Sequence, residues 1–134
     1  NRYKNITIDI YDVLVQGNNA SISIAQAIKK ATTKSYDIIV IGRGGGSVED
    51  LWAFNEEIVA DAIFEANTPI VSAVGHEIDV VISDLVADVR AATPSVAMEI
   101  CLPDTNELYQ YIDSISSTIT QTIKNIIVNR TQEL

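Results

Sequence analysis

Residues 38–50, IIVIGRGGGSVED, are the stretch that decides the fold. The aliphatic run at 38–41 has no polar alternation, which is typical of a strand buried on both faces of a parallel sheet. Consecutive glycines follow at 44–46, and since glycine tolerates positive φ, backbone N–H groups there can converge on an anion. Glu49 and Asp50 suit the first turn of a helix. This order predicts a loop at the carboxyl edge of an open α/β sheet, where such folds bind ligands.

Neighbouring segments extend this pattern into a βαβ series. Alternating apolar residues at 6–15 predict a strand, and 70–74 predict a second short buried strand. Helical periodicity at 22–33 and 51–65 separates these from the central strand at 36–41. We therefore predict a small, mostly parallel sheet flanked by helices, with right-handed crossovers. The loops that follow its strands should emerge at one edge, and the strand order stays open.

The last third of the chain is predicted to be helical. Apolar residues at 80–89 predict a helix beginning near Gly75, and Thr93 and Pro94 predict the start of a short helix. A long helix follows, with a narrow apolar seam that needs a partner helix. Its apolar residues are Leu108, Tyr111, Ile112, Ile115, Ile119, Ile123, Ile126 and Ile127. We expect an α/β core at 1–103 and the start of a helical arm at 104–134.

Composition narrows the classes of function. The chain has 134 residues, 47% of them hydrophobic, which suits one globular domain. Its formal net charge of −9 argues against a broad basic surface for nucleic acid, so a polyanion would be held locally. Cys101 is the only cysteine, which excludes an internal disulfide and a cysteine-cluster metal site. No apolar run of about 18 residues suggests a membrane span, and a cytoplasmic protein is the expectation.

Arg43 is the first candidate for phosphate binding. A guanidinium on a glycine loop can hold two phosphate oxygens while backbone amides bind the others. The loop is not a Walker A motif, because no Lys-Ser/Thr pair follows the glycines at the required offset. It also lacks the full GxGxxG spacing, since Ser47 replaces the last glycine. A tight strand-to-helix turn without any ligand is the alternative.

His76, the only histidine, follows a predicted strand and Gly75. If a helix begins here, Asp79 shares a face with His76 and its carboxylate can orient the imidazole. This pair suits a general acid or base, or a two-ligand metal corner, and a purely structural histidine is the alternative. Asp84 and Asp88 are predicted on the exposed face of the same helix.

Two further groups are candidates for contact with anions. Thr93 and Ser95 offer hydroxyls at a helix N-terminus, and capping alone is the alternative. Arg90 is a candidate second phosphate cation. A lysine cluster ends the first predicted helix, and it either complements the helix dipole or contacts a phosphate backbone. Its members are Lys29, Lys30 and Lys34.

Three motifs resemble one family. GRGGGSVEDLWAFN at 42–55, VSAVGHEIDVVISDLVADVRAATPS at 71–95 and VQG at 15–17 resemble the catalytic domain of the exodeoxyribonuclease VII large subunit. The resemblance covers about residues 6–102, and the terminal helix is similar to the start of the family's coiled-coil arm. It places this chain after an OB-type DNA-binding domain and after a further functional aspartate. We therefore expect a piece of a longer protein.

The resemblance implies a nuclease that degrades single-stranded DNA to short oligonucleotides, with small subunits bound along the helical arm. Arg43, His76 and Asp79 fall on the family's essential arginine, histidine and aspartate. Ile78 and Ala92 stand where threonine and proline are common. Contact with phosphate or DNA is expected for Gly42, Gly44, Gly45, Gly46, Ser47, Gly75, Arg90, Thr93 and Ser95.

A mechanism follows as a hypothesis. Arg43 and the loop amides bind the scissile phosphate, and His76, oriented by Asp79, moves a proton to or from water or the leaving oxygen. The family is not uniform in its need for a divalent ion; these residues include no metal ligand set, so no cofactor is demanded and a role for Mg²⁺ stays open. The competing interpretations are a phosphate- or nucleotide-binding module without chemistry, and an assembly domain built on the long helix.

Overall fold

The computed structural model describes residues 3, 5–44, 48–75 and 78–132, apart from the side chains of 48–50 and 132. Contacts within the chain define two compact units. One is Thr7–Cys101, and the other contains the C-terminal helix. Within the described residues, no helix has both the length and the apolar character needed to cross a bilayer.

The unit Thr7–Cys101 is built on a small parallel sheet, which confirms the predicted fold class. Its strands are β1 (Ile39–Gly42), β2 (Ile70–Ala73) and β3 (Val89–Arg90), and they lie in that order. Both neighbouring pairs are parallel. β2 is the middle strand, and all four of its residues are buried. The prediction that 36–41 forms the central strand was therefore wrong, because β1 lies at an edge of the sheet.

Helices cover both faces of this sheet. The helices of the unit are α1 (Ala20–Thr32), a 3₁₀ helix (Val48–Asn55), α2 (Glu57–Phe64), α3 (Ile82–Val86) and α4 (Pro94–Cys101). Alternate strand residues point to opposite faces. Ile41 and Ile70 belong to a core cluster with α1, α2 and the 3₁₀ helix, while Val71 and Ala73 pack with Ala97 of α4. Each face of the middle strand therefore has its own apolar core.

The predicted strand at 6–15 was wrong. These residues form no regular element, and Ile10 is 88% exposed. The alternation of apolar residues misled because Ile8 and Ile10 have no core to face. Side-chain contacts hold the segment instead, with the Leu14 N–H donating to Ser23 Oγ at 3.2 Å.

The predicted helix at 80–89 was wrong in extent, because only Ile82–Val86 is helical and the chain then enters β3. Hydrogen bonds to the middle strand explain the change. The Asp88 N–H donates to Ile70 O at 3.1 Å, and the Ile70 N–H donates to Asp88 Oδ2 at 2.7 Å. Asp88 therefore closes the ladder between β2 and β3, a role that helical periodicity does not reveal.

The last two helices match their predictions. α4 begins at Pro94, with the Val96 N–H donating to Thr93 Oγ1 at 3.2 Å, as expected of a capping threonine. α5 (Thr105–Gln132) has 28 residues, and the Asn106 N–H donates to Asp104 Oδ1 at 2.8 Å at its start. Every apolar residue of its predicted seam is exposed within this unit.

Candidate functional site at the carboxyl edge of the sheet

The loops that follow the three strands emerge at the same edge of the sheet. Gly42 at the end of β1 is in register with Ala73 at the end of β2, and Ser72 is in register with Arg90 of β3. All the strands are parallel, so the segments beginning at 43, 74 and 91 leave from their carboxyl ends. This confirms that the two glycine loops share one edge.

Arg43 and Gly42 lie at the base of the first loop. Arg43 is half-buried, and its Nε atom is fully buried. A Cβ built on Gly42 would lie 3.5 Å from Ala73 O and 3.6 Å from Pro94 Cγ, so the ends of β1 and β2 adjoin the start of α4. Gly44 is exposed, and none of the described atoms lies within 4 Å of a Cβ built there. Gly45, Gly46, Ser47 and His76 lie outside the described residues.

Residue 75 must be glycine because other parts of the chain approach it closely, and not because its φ is positive. A Cβ at this buried position would lie 2.2 Å from Asp79 O and 2.4 Å from Asp84 Oδ2. Among the described glycines only Gly17, far from this edge in sequence, has positive φ. Gly75 therefore lies directly against the backbone of Asp79, and a side chain larger than hydrogen does not fit at residue 75.

Asp84, which lies close to Gly75, is a residue whose position the sequence analysis predicted wrongly. It was expected on an exposed helix face, but its side chain is 0% exposed. Ser72 Oγ donates to Asp84 Oδ1 at 2.5 Å, and the Val81 N–H donates to Asp84 Oδ2 at 3.3 Å. A serine inside the apolar run at 70–74 was the available signal, because a buried hydroxyl needs a hydrogen-bond partner.

Arg90 completes this buried group. Its Nε lies 3.4 Å from Asp84 Oδ2, and its side chain is 33% exposed. The Asp84 carboxylate therefore links three parts of the chain, namely β2, the segment that precedes α3, and strand β3. The guanidinium is tied to the protein at Nε, and the candidate role of Arg90 as a phosphate cation stays a prediction.

Asp79 lies in the irregular segment before α3, not on a helix. The helical spacing invoked to place Asp79 beside His76 was therefore wrong, since α3 begins only at Ile82. Asp79 is half-buried and lines a cavity of about 330 Å³. The other lining residues are Leu51, Trp52, Asn55, Ile78, Val80 and Val81.

Thr93 and Ser95 lie where the third loop enters α4. Thr93 Oγ1 caps the helix, and both residues are exposed. Cys101 at the other end of α4 is half-buried, and burial raises the pKa of its thiol. Within the described ranges, no group of three or more His, Cys, Asp or Glu side chains is placed to hold a metal ion.

Two members of the lysine cluster, Lys30 and Lys34, contact aromatic rings near the amino end of β1. Lys30 Nζ lies 5.9 Å from the Tyr11 ring centroid, and Lys34 Nζ lies 5.8 Å from it. Tyr36 donates a hydrogen bond to Asp9, and this bond raises the pKa of the Tyr36 hydroxyl. Because Tyr36 precedes β1, this group is remote from the carboxyl-edge loops. Cation–π contact is thus a third role for these lysines, besides those predicted.

The fold and site define an α/β protein with candidate ligand-binding loops at one edge of a small parallel sheet. The model of the family described as Exonuclease VII, large subunit, matches residues 1–134. The chain therefore belongs to the exonuclease VII large subunit family, which confirms the resemblance seen in its motifs.

Curated relatives agree with this assignment. The Exodeoxyribonuclease 7 large subunit of Sulfurimonas denitrificans is 68% identical over 99% of this chain and 32% of its own length. The protein of the same name from Nitratiruptor sp. is 56% identical over 100% of the chain and 32% of its length. That from Helicobacter hepaticus is 54% identical over 99% and 33%. The chain thus spans about a third of the length of these relatives.

Proposed function

We propose that this chain contributes the phosphodiester-cleaving site of an exodeoxyribonuclease that degrades single-stranded DNA to short oligonucleotides in the cytoplasm. Family membership supports the class of enzyme. The proposal depends most on the register of Gly42 with Ala73, because this pairing starts the Arg43 loop and the Gly75 loop side by side. A phosphodiester lying across that edge can meet groups from both loops.

Arg43, His76 and Asp79 are the proposed catalytic residues. The Arg43 guanidinium and loop amides bind the scissile phosphate and stabilise the charge that builds on it as water attacks phosphorus. His76 either accepts the proton of the attacking water or donates one to the oxygen that leaves when its bond to phosphorus breaks. The Asp79 carboxylate orients the imidazole.

The remaining edge residues are proposed to position the strand. Backbone amides of the first loop and the hydroxyls at the start of α4 suit phosphate oxygens, because both groups donate hydrogen bonds. Arg90 is proposed as a further phosphate contact, because its cationic side chain lies at the end of β3 and is 33% exposed. The proposed DNA contacts are Gly42, Gly44, Gly45, Gly46, Ser47, Gly75, Arg90, Thr93 and Ser95.

The decisive experiment uses the full-length large subunit with its small subunit and end-labelled single strands, with and without a chelator. His76→Ala is expected to abolish hydrolysis while binding of the strand stays close to that of the parent. The chelator arm tests for Mg²⁺ separately. Hydrolysis at the parental rate by His76→Ala would refute the assignment of the site.

A matched pair of charge deletions tests the arginine. Arg43→Ala is expected to lower kcat/KM by at least about 100-fold, the usual scale for losing one donor that stabilises transition-state charge. Lys29 is not among the proposed DNA contacts, because it pairs with Glu65 at 3.6 Å on an exposed surface. Lys29→Ala removes an equal charge there and is expected to leave kcat/KM unchanged. Equal effects of the two substitutions would contradict a specific role for Arg43.

We also propose that α5 binds the small subunit. Its 28 residues would extend about 42 Å, and one stripe presents exposed Leu108, Ile112, Ile115, Ile119 and Ile123. Such a narrow apolar stripe on a solvated helix favours a partner helix. Ile119→Lys in the full-length protein is expected to abolish co-purification of the small subunit, whereas Gln121→Lys, on the opposite side of α5, should preserve it. Co-purification with both variants would exclude this surface.

A further inference from the structure

Trp52 is an exposed aromatic residue that lines the same cavity as Asp79, one of the proposed catalytic residues. Its indole is 71% exposed, although Leu51, Ala53 and Phe54 around it in the 3₁₀ helix are buried. The buried neighbours anchor this helix, so the indole is held at the surface by a fixed element. A large apolar side chain maintained in solvent beside a candidate active site suggests a ligand rather than a core role.

The cavity beside Trp52 joins this surface to the proposed catalytic carboxylate. Its volume is about 330 Å³, and Asp79 lines it together with Ile78 and Val80. Ile78 is 92% exposed. The cavity therefore combines apolar walls with one carboxylate, and it lies close to the lower size limit of about 300 Å³ for small-ligand sites.

The walls of the cavity are held together by specific contacts. The Ile82 N–H donates to Asn55 Oδ1 at 2.8 Å, which links the 3₁₀ helix to the start of α3. The Val81 N–H donates to the buried Asp84 carboxylate, and the approach of Gly75 to Asp79 fixes the other end of the segment. A preformed site loses little conformational entropy when a ligand enters.

We propose that this cavity is a nucleobase subsite in which one unstacked base of the DNA strand lies against the Trp52 indole. The inference rests on the proposed function, because it takes Asp79 as part of the reacting centre. A nucleotide whose phosphate lies near Asp79 would have its base within reach of the cavity. A single strand can supply such a base, whereas a duplex must first unstack it at a cost of a few kcal/mol. The subsite would thus contribute to selection of single strands.

Binding by the full-length protein with its small subunit tests the subsite. The probes are a fluorescein-labelled, phosphorothioate-linked dT12 and a set of the same strands that each carry one abasic residue at a different position. Trp52→Ala is expected to weaken binding of the intact strand roughly 5- to 150-fold, the range for losing one base–aromatic stack. Trp52→Phe keeps an aromatic face and should recover most of the affinity. Phe64→Ala removes another exposed aromatic residue, 83% exposed on α2, and should leave binding unchanged.

The abasic strands distinguish stacking from a general loss of structure. The parent protein should lose affinity when the abasic residue occupies one particular position, and Trp52→Ala should be insensitive to that same change. An equal penalty in the parent and in Trp52→Ala would overturn the subsite. Parental affinity in Trp52→Ala would also overturn it, while normal hydrolysis by the same preparation would leave the proposed function intact. Absence of both binding and hydrolysis in the parent would instead count against the proposed function itself.

Discussion

Replacing Gly75 with alanine tests the geometry of the second loop. The new Cβ would begin 2.2 Å from Asp79 O and 2.4 Å from Asp84 Oδ2. To reach ordinary contact at 3.4 Å the backbone at Asp79 must move by about 1 Å, and the Asp84 carboxylate must move as well. Overpacking of this kind costs about 1–3 kcal/mol, and the value here should lie near the upper end, because one of the opposing atoms belongs to the backbone.

A destabilisation of about 3 kcal/mol corresponds to a fall in Tm on the order of 10 °C for a domain of this size. Thermal unfolding followed by circular dichroism measures it directly. Gly44→Ala is the matched control, because no atom of the described residues lies within 4 Å of its added Cβ and its φ is not positive. The control is expected to change the free energy of unfolding by no more than about 1 kcal/mol. Equal Tm values for the two variants would refute the close approach at Gly75.

Three other predictions concern neighbouring residues. Asp84→Ala should lower the free energy of unfolding in urea by about 3 kcal/mol, because it leaves the buried Ser72 hydroxyl and the Arg90 guanidinium without their carboxylate partner. Asp61→Ala, on the exposed face of α2, should lower it by less than about 0.5 kcal/mol. Similar urea midpoints for the two variants would contradict the buried role of Asp84. Thr93→Ala should lose about 1 kcal/mol of cap stability that Thr93→Ser retains, and an unchanged urea midpoint would exclude the cap. The raised pKa of Cys101 lowers its thiolate fraction at pH 8, so iodoacetamide should react more slowly with the folded chain than with the chain in urea; equal rates would be inconsistent with burial.

The sheet was predictable because each of its two longer strands, β1 and β2, lies in a continuous run of mostly apolar residues. Residues 38–41 and 70–74 each end in glycine-containing loops, and parallel strands then bring those loops to one edge. The start of α4 was also predictable, since Thr93 and Pro94 have intrinsic preferences for the cap and the first turn. These features depend on short stretches of sequence.

The errors arose where distant residues decide the structure. Asp84 repeats at helical spacing with Asp88, yet it is buried because Ser72 and Arg90 converge on it from two strands. Alternation at Ile8 and Ile10 is a local strand signal, but none of the described strands pairs with that segment. Asp79 was expected on a helix, and the chain there is instead shaped by its contact with Gly75. Contacts between residues that are distant in sequence leave no trace in the periodic spacing of apolar and polar residues.

The middle strand, β2, lies between two separately packed apolar cores. Ile70 belongs to the core shared with α1 and α2, while Val71 belongs to the core shared with α4. Adjacent side chains of this four-residue strand therefore pack against helices on opposite faces of the sheet. A change of volume in either layer is therefore transmitted to the loop that begins immediately after Ala73, so the alignment of the loops at the candidate site depends on both cores.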